Sequence, residues 1–182
     1  CRDMTASKLL TGEQYLESLR DGREIYFDGE KVEDITEHPA FRNAARSIAR
    51  LYDALHDPAQ KDLLLGEDRH GIVTHKFFMP SYSSEELLAA RDAIAAWARL
   101  SYGFMGRSPD YKAAFMATLG AAPDFYSPFE ESAKAWYQRY AEQALFLNHI
   151  LINPPIDRNR EVHEVEDVFL HSVEERDDGI VV

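Results

Sequence analysis

Two short stretches carry side chains able to grip an anion or polarise an oxygen. In Gly106-Arg107-Ser108-Pro109-Asp110-Tyr111 an arginine stands immediately before a Ser-Pro pair of the kind that caps and opens a helix. A guanidinium and the positive end of a helix would then converge on one point, where an anion is favoured. Tyr111 falls in the first turn of that helix and adds a hydroxyl donor. The second place is His149, which follows the apolar, aromatic run of Trp136, Tyr137, Tyr140, Leu145 and Phe146 and sits beside Asn148, shortly before Pro154-Pro155. A polar ring in that setting requires a partner or a ligand. Each place also has an ordinary structural reading. Arg107 could pair with a surface carboxylate and Tyr111 pack in the core, while His149 could sit at a helix C-terminus and interact with its dipole.

Nothing else has the form of a self-sufficient catalytic signature. There is no glycine-rich phosphate loop, no G-x-S-x-G elbow and no His-x-x-x-His pair. The other histidines, His38, His56, His70, His75, His163 and His171, are scattered and read as surface or satisfied core residues. The 182 residues carry a net charge of −12 with a pI near 5.0, which argues against binding nucleic acid or an anionic membrane. The longest nearly apolar stretch, Ala144 to Ile152, is broken by Asn148 and His149 and falls short of the roughly 20 residues that span a bilayer. One cysteine, Cys1, allows neither an internal disulfide nor a thiolate metal cluster, so a soluble protein of the reducing cytosol is expected. Met4 reads as the natural start, with Cys1-Arg2-Asp3 extraneous.

The elements that must position these residues are mostly helices. Thr11-x-x-Gln14 has capping-box spacing and predicts a helix over 12–21. Asp28-Gly29 turns a small hairpin between 24 and 34. Pro39 opens a helix to about Asp57, residues 58–72 read as a loop, and Val73–Met79 as an extended run. Ser83-x-x-Glu86 starts a helix that faces Leu87, Ala90, Ile94, Trp97 and Leu100 one way until Gly103. Ser108-Pro109 opens a helix to Gly120, and Ser127-Pro128 opens a long one reaching about His149. Residues 161–182 hold a net charge of −7, yet they are rich in β-branched residues. Val168–Val173 is predicted as a strand, Asp177-Asp178-Gly179 as a turn and Ile180–Val182 as a returning strand. The expected fold is mainly α: an N-terminal helical domain with a small hairpin over 1–160, then the first strands of a β domain over 161–182, broken off as in the N-terminal piece of a longer chain.

From about Leu10 onward the sequence resembles the oxygenase component of the two-component 4-hydroxyphenylacetate 3-monooxygenases. The blocks that carry the likeness include Thr11-Gly12-Glu13-Gln14-Tyr15-Leu16, His38-Pro39-Ala40-Phe41-Arg42-Asn43, Leu51-Tyr52-Asp53-Ala54-Leu55-His56 and Thr74-His75-Lys76-Phe77-Phe78. They continue through Arg99-Leu100-Ser101-Tyr102-Gly103, Met105-Gly106-Arg107, Pro109-Asp110-Tyr111-Lys112 and Asn153-Pro154-Pro155-Ile156-Asp157-Arg158. Such a run of blocks in order is specific, and it covers the N-terminal third of those enzymes. The resemblance implies an acyl-CoA dehydrogenase-like fold, assembled as a homotetramer. It implies that Arg107, Tyr111 and His149 hold a phenolic substrate and act in catalysis, with Ser108, Pro109 and Asp110 lining the same site. It implies FAD contacts from His149, Ile150, Leu151, Pro155, Ile156, Asp157 and Arg158, further flavin contacts lying beyond residue 182. Reduced FAD would come from a separate NAD(P)H-dependent flavin reductase, and O2 would be the second substrate.

Two other readings stand beside it. The related 4-hydroxybutyryl-CoA dehydratases share the fold but hold an iron–sulfur cluster partly through cysteines in the matching region, where this chain has none. A non-catalytic helical fragment or interaction subunit is the alternative of a different class.

Overall fold

The computed structural model describes residues 8–103, 110–147, 159–161, 164, 172–177 and 179–181. Residues 1–148 form one compact unit and 149–182 another. Within the first, α1 (Gly12–Ser18) begins at Thr11 with the expected reciprocal cap: the Thr11 hydroxyl accepts from the Gln14 amide and the Gln14 side chain accepts from the Thr11 amide. The helix stops at Leu19, shorter than the sequence predicts. It lies against α2 (Arg42–Ala54), where the Gly12 amide donates to Asp53 Oδ1 at 2.8 Å. A Cβ on Gly12 would come within 2.6 Å of both the Ala49 carbonyl and the Asp53 carboxylate, so this contact admits only glycine. Between α1 and α2, β1 (Tyr26–Phe27) and β2 (Glu30–Lys31) pair antiparallel around Asp28-Gly29, both at positive φ as a tight hairpin requires.

The segment expected as a loop over 58–72 is partly ordered. It holds the single turn α3 (Lys61–Leu64) and β3 (Leu65–Glu67), which pairs antiparallel with β4 (Val73–His75). The chain then turns into a 3-10 turn, Lys76–Phe78, in place of the extended run expected to Met79. Its buried residues Phe77 and Phe78 explain the difference: a tight turn folds both rings inward, whereas an extended strand would alternate them across its faces. Helix α4 (Ser84–Leu100) starts at the Ser83 cap as predicted. Of the expected stripe Trp97 is buried and Ile94 and Leu100 pack against the core, joined by buried Ala93 and Ala96, while Leu87 near its start is exposed.

Helix α5 (Asp110–Ala121) and helix α6 (Glu130–Gln143) pack on one another, joined by a 3-10 turn over Pro123–Tyr126. Ser127-Pro128 does not open α6: the cap position is Phe129, with no side-chain cap hydrogen bond. The core joins Leu51, Tyr52 and Leu55 of α2, Leu64, Phe77, Phe78, Trp97, Ala113 and Ala117 of α5, and Tyr137 and Ala141 of α6. In the second unit, β5 (Glu174–Arg176) and β6 (Gly179–Val181) form an antiparallel hairpin with Arg176 opposite Gly179. A hairpin is present as predicted, with different strand bounds. The first strand begins after Val173, and Gly179 belongs to the returning strand; residues 168–171 of the predicted strand lie outside the described residues.

Candidate functional site

Three points of the first unit lead into the segments singled out by the sequence: the end of α4, the start of α5 and the end of α6. Helix α4 ends in a Schellman turn, with the Gly103 amide donating to the Ala98 carbonyl and the Tyr102 amide to the Arg99 carbonyl. Tyr102 takes the left-handed position at φ +53, where glycine is usual, and its ring is 89% exposed. Arg107, Ser108 and Pro109, a few residues on, lie outside the described residues, as does the predicted cap. Asp110 is described only as the first helical residue of α5. Tyr111 stands in the first turn of α5 as expected, 61% exposed rather than packed in the core, with Lys112 Nζ 4.2 Å from its ring centroid.

Helix α6 ends six residues before His149, which corrects the long helix predicted from Ser127. Its last turn is again a Schellman turn: the Leu145 amide donates to the Tyr140 carbonyl and the Ala144 amide to the Ala141 carbonyl, with Ala144 left-handed at φ +48. Leu145, Phe146 and Leu147 then run on in non-helical conformation. Tertiary contacts impose the break. Thr74 Oγ1 donates to the Ala141 carbonyl at 2.7 Å. The Tyr52 hydroxyl donates to the Ala144 carbonyl and accepts from the Phe146 amide, both at 2.9 Å. Burial pushes the Tyr52 phenol far above its ordinary pKa, so it stays a donor across the neutral range. Tyr52 was not singled out from the sequence as a site residue; it enters there only within the Leu51–His56 block. His149, Ile150, Leu151, Pro155, Ile156, Asp157 and Arg158 lie outside the described residues.

His38, His56 and His70 have structural partners. His38 packs against Phe27 and Phe41, His56 Nε2 meets the Leu10 carbonyl, and His70 Nε2 meets the Gly120 carbonyl. Among the described residues no group of three or more His, Cys, Asp or Glu could hold a metal ion, and no helix is long and apolar enough to cross a membrane.

This arrangement is that of the N-terminal helical domain of an acyl-CoA dehydrogenase-like fold. Residues 11–182 match the family described as 4-hydroxyphenylacetate 3-hydroxylase, N terminal, and the chain belongs to that family. It is 58% identical over 180 residues to the 4-hydroxyphenylacetate 3-monooxygenase oxygenase component of Pseudomonas aeruginosa, covering 98% of this chain and 35% of that protein. It is 54% identical over 175 residues to the 4-nitrophenol 2-monooxygenase oxygenase component of a Rhodococcus species, covering 95% of this chain and 34% of that protein. Among solved structures it superimposes with a TM-score of 0.81 at 34% identity on the oxygenase component of a 4-hydroxyphenylacetate 3-monooxygenase complexed with FAD and 4-hydroxyphenylacetate. That match covers 94% of this chain and 36% of the solved one. The chain thus spans about a third of the length of the relatives it matches.

Proposed function

We propose that this chain is the N-terminal part of the oxygenase component of a two-component flavin monooxygenase, which hydroxylates a phenol such as 4-hydroxyphenylacetate ortho to its hydroxyl. The observation that carries the reading is family membership across residues 11–182, joined to the likeness to an oxygenase complexed with FAD and 4-hydroxyphenylacetate. One atom of O2 enters the ring, the ortho proton leaves, and the other oxygen departs as water, the two electrons coming from reduced FAD. A separate NAD(P)H-dependent flavin reductase supplies that FAD, and the full-length oxygenase works as a cytoplasmic homotetramer.

A free phenol ionises near pH ~10, so at neutral pH its ring is a poor nucleophile. Donors from Arg107, Tyr111 and His149 aimed at the phenolic oxygen stabilise negative charge there and raise electron density at the ortho carbon. Ser108, Pro109 and Asp110 line the same site. The exposure of Tyr111 at the start of α5 supports this role, since its hydroxyl is accessible to a ligand. The donor set assigned to the flavin has the right chemistry for it: Arg158 is a cation suited to a diphosphate, and His149, Ile150, Leu151, Pro155, Ile156 and Asp157 offer ring, backbone and apolar contacts. Bound reduced FAD supplies the activation of oxygen, and the protein orients the phenol and excludes water.

In the full-length protein supplied with a reductase, His149→Ala and Arg107→Ala should each cut catechol formation strongly while reduced flavin still consumes O2, releasing peroxide. Variants that couple oxygen use to catechol as well as wild type does would refute the assignment. A phenol panel with wild type identifies the preferred ring.

A further inference from the structure

Helix α4 turns an apolar face to solvent. Its core side is set by buried Ala93, Ala96 and Trp97. At about 100° per residue the opposite side carries Leu87, Leu88, Arg91, Ala95 and Ala98. A surface helix ordinarily places charged and polar groups there. On α4 the single charge on that side, Arg91, is already paired with its neighbour Asp92 at 2.7 Å, while Leu87 is 63% and Leu88 48% exposed. The apolar surface continues at both ends of the helix. Before it, exposed Tyr82 shares an open surface with Leu87 and Leu88; after it, Tyr102 shares another with Ala98 and Arg99. An apolar face of this extent on the outside of a helix marks an interaction surface.

Two features select the occupant. The pattern is self-complementary: Leu87 and Tyr102 stand equally far from a midpoint between Ile94 and Ala95, so a second α4 laid antiparallel sets the tyrosine of each copy against the leucines of the other. Charge fixes the direction. Glu85, Asp92 and Arg99 recur every seven residues along one flank, acidic in the first turn and basic in the last. Antiparallel packing brings Arg99 to within about 8 Å, along the axis, of the partner's Glu85, a span the two side chains cover. Parallel packing would set like charges side by side. We propose that this face of α4 is an interface between two copies of the chain, packed antiparallel about a two-fold axis with Tyr102 of each copy lying on Leu87 and Leu88 of the other. The inference rests on the homotetramer proposed above and names the face that joins two of its copies. The ring and the leucines supply the apolar contact, and the flanking charges supply orientation.

The test uses the full-length protein. Within one chain residues 87 and 102 lie about 22 Å apart along the helix, far beyond the roughly 7 Å between Cα atoms that a disulfide spans. A Leu87→Cys, Tyr102→Cys double variant should therefore form, on mild oxidation, a disulfide that joins two copies and maps by peptide mass to those two positions, and neither single variant should do so. Leu87→Glu changes an exposed side chain and should fold normally, yet give a smaller assembly by analytical ultracentrifugation, with association at least tenfold weaker. Arg99→Glu should weaken association several-fold, and adding Glu85→Arg should restore most of it. An oligomeric wild type that forms no such disulfide and keeps its mass in Leu87→Glu overturns the interface. A Leu87→Glu protein that melts at a lower temperature with its assembly mass unchanged also overturns it, showing that another segment of the same chain covers the face. A monomeric wild type overturns the homotetramer itself.

Discussion

The Tyr137 hydroxyl on α6 donates to Asp68 Oδ2, while Asp68 Oδ1 accepts from the amides of His70 and Ile72. One buried carboxylate thus closes the loop between β3 and β4 and ties it to α6. A hydrogen bond to a charged acceptor contributes about 1.5–3 kcal/mol. Tyr137→Phe should therefore lower stability by about 2 kcal/mol. Asp68→Ala should cost more, because it also leaves two amides without their acceptor. Urea unfolding of the two variants checks the order, and equal losses would mean the amides find water instead.

Two buried phenols make the fold sensitive to alkali. Burial raises the pKa of Tyr52 and of Tyr137 well beyond the ordinary tyrosine value, the Asp68 carboxylate adding to the shift at Tyr137. The unfolded chain releases these protons near pH ~10 while the native protein keeps them, so the stability they contribute is complete below pH ~10 and is lost as pH rises. Each phenol should give a slope of about 1.4 kcal/mol per pH unit above that point. Denaturant titrations between about pH 9 and 11.5 should show the slope fall by that amount in Tyr52→Phe and again in the double variant with Tyr137→Phe.

Gly120 lies near the end of α5 with its Cα facing the Tyr137 ring. A Cβ there would meet three ring carbons at 2.5 to 2.7 Å. In an exposed helix Gly→Ala gains about 1 kcal/mol from propensity. Here overpacking of about 1–3 kcal/mol opposes it, and both the ring and the helix backbone are held. Gly120→Ala should destabilise by about 0–2 kcal/mol by thermal unfolding. A stabilised variant would show that Tyr137 can swing aside.

Local chemistry made part of this molecule legible in the sequence. The Thr11 capping box and the Ser83 start of α4 appear as read, because each depends on side-chain-to-backbone bonds within four residues, and the Asp28-Gly29 hairpin because both turn residues take positive φ. Tyr111 falls in the first turn of its helix as read. The end of α6 was not legible, since nothing between Gln143 and Leu147 punctuates the chain; the signal is a hydroxyl on residue 52. The strand β3 inside an expected loop has the same origin, tertiary packing that overrides short-range pattern. The residues proposed for the phenol and the flavin come from family likeness, and spacing alone left the ordinary structural readings of Arg107, Tyr111 and His149 standing.

His75 gives the fold an acid limit. Its ring is 0% exposed between Phe77 and Trp97, at centroid distances of 3.7 and 4.2 Å. Its Nδ1 accepts from the Phe77 amide, which leaves the proton on Nε2, and that N–H has no hydrogen-bond partner among the described residues. Burial, with a smaller contribution from the Lys76 charge, pushes its pKa well below the ordinary histidine value. The unfolded chain takes up a proton near pH ~6.5 and the native one does not, so stability present above that pH declines as pH falls, by about 1.4 kcal/mol per unit. His75→Asn retains an acceptor for the Phe77 amide and should flatten this decline between about pH 6.5 and 5, read from urea unfolding, at the expense of ring packing that lowers stability at pH 8. An unchanged acid slope would assign the decline to other groups.

Tyr102 closes α4 in the left-handed position of a Schellman turn, next to Gly103 at φ +69. An L-residue there costs about 1–2 kcal/mol relative to glycine. The ring, 89% exposed, returns little of that through burial. Glycine in the unfolded chain has more freedom to lose, which offsets part of the gain by about 0.4–1 kcal/mol. Tyr102→Gly should therefore leave the unit as stable as wild type or up to about 1 kcal/mol more stable, a rise of about 2–4 °C in Tm at most. Five residues further along the chain stands Arg107, so the same variant measured in the full-length protein, for the activity proposed above, separates fold from function. If the tyrosine serves only the helix end, catechol formation per reduced flavin should hold at the wild-type ratio; a stable Tyr102→Gly that releases more peroxide would place the exposed ring among the groups that serve the phenol site.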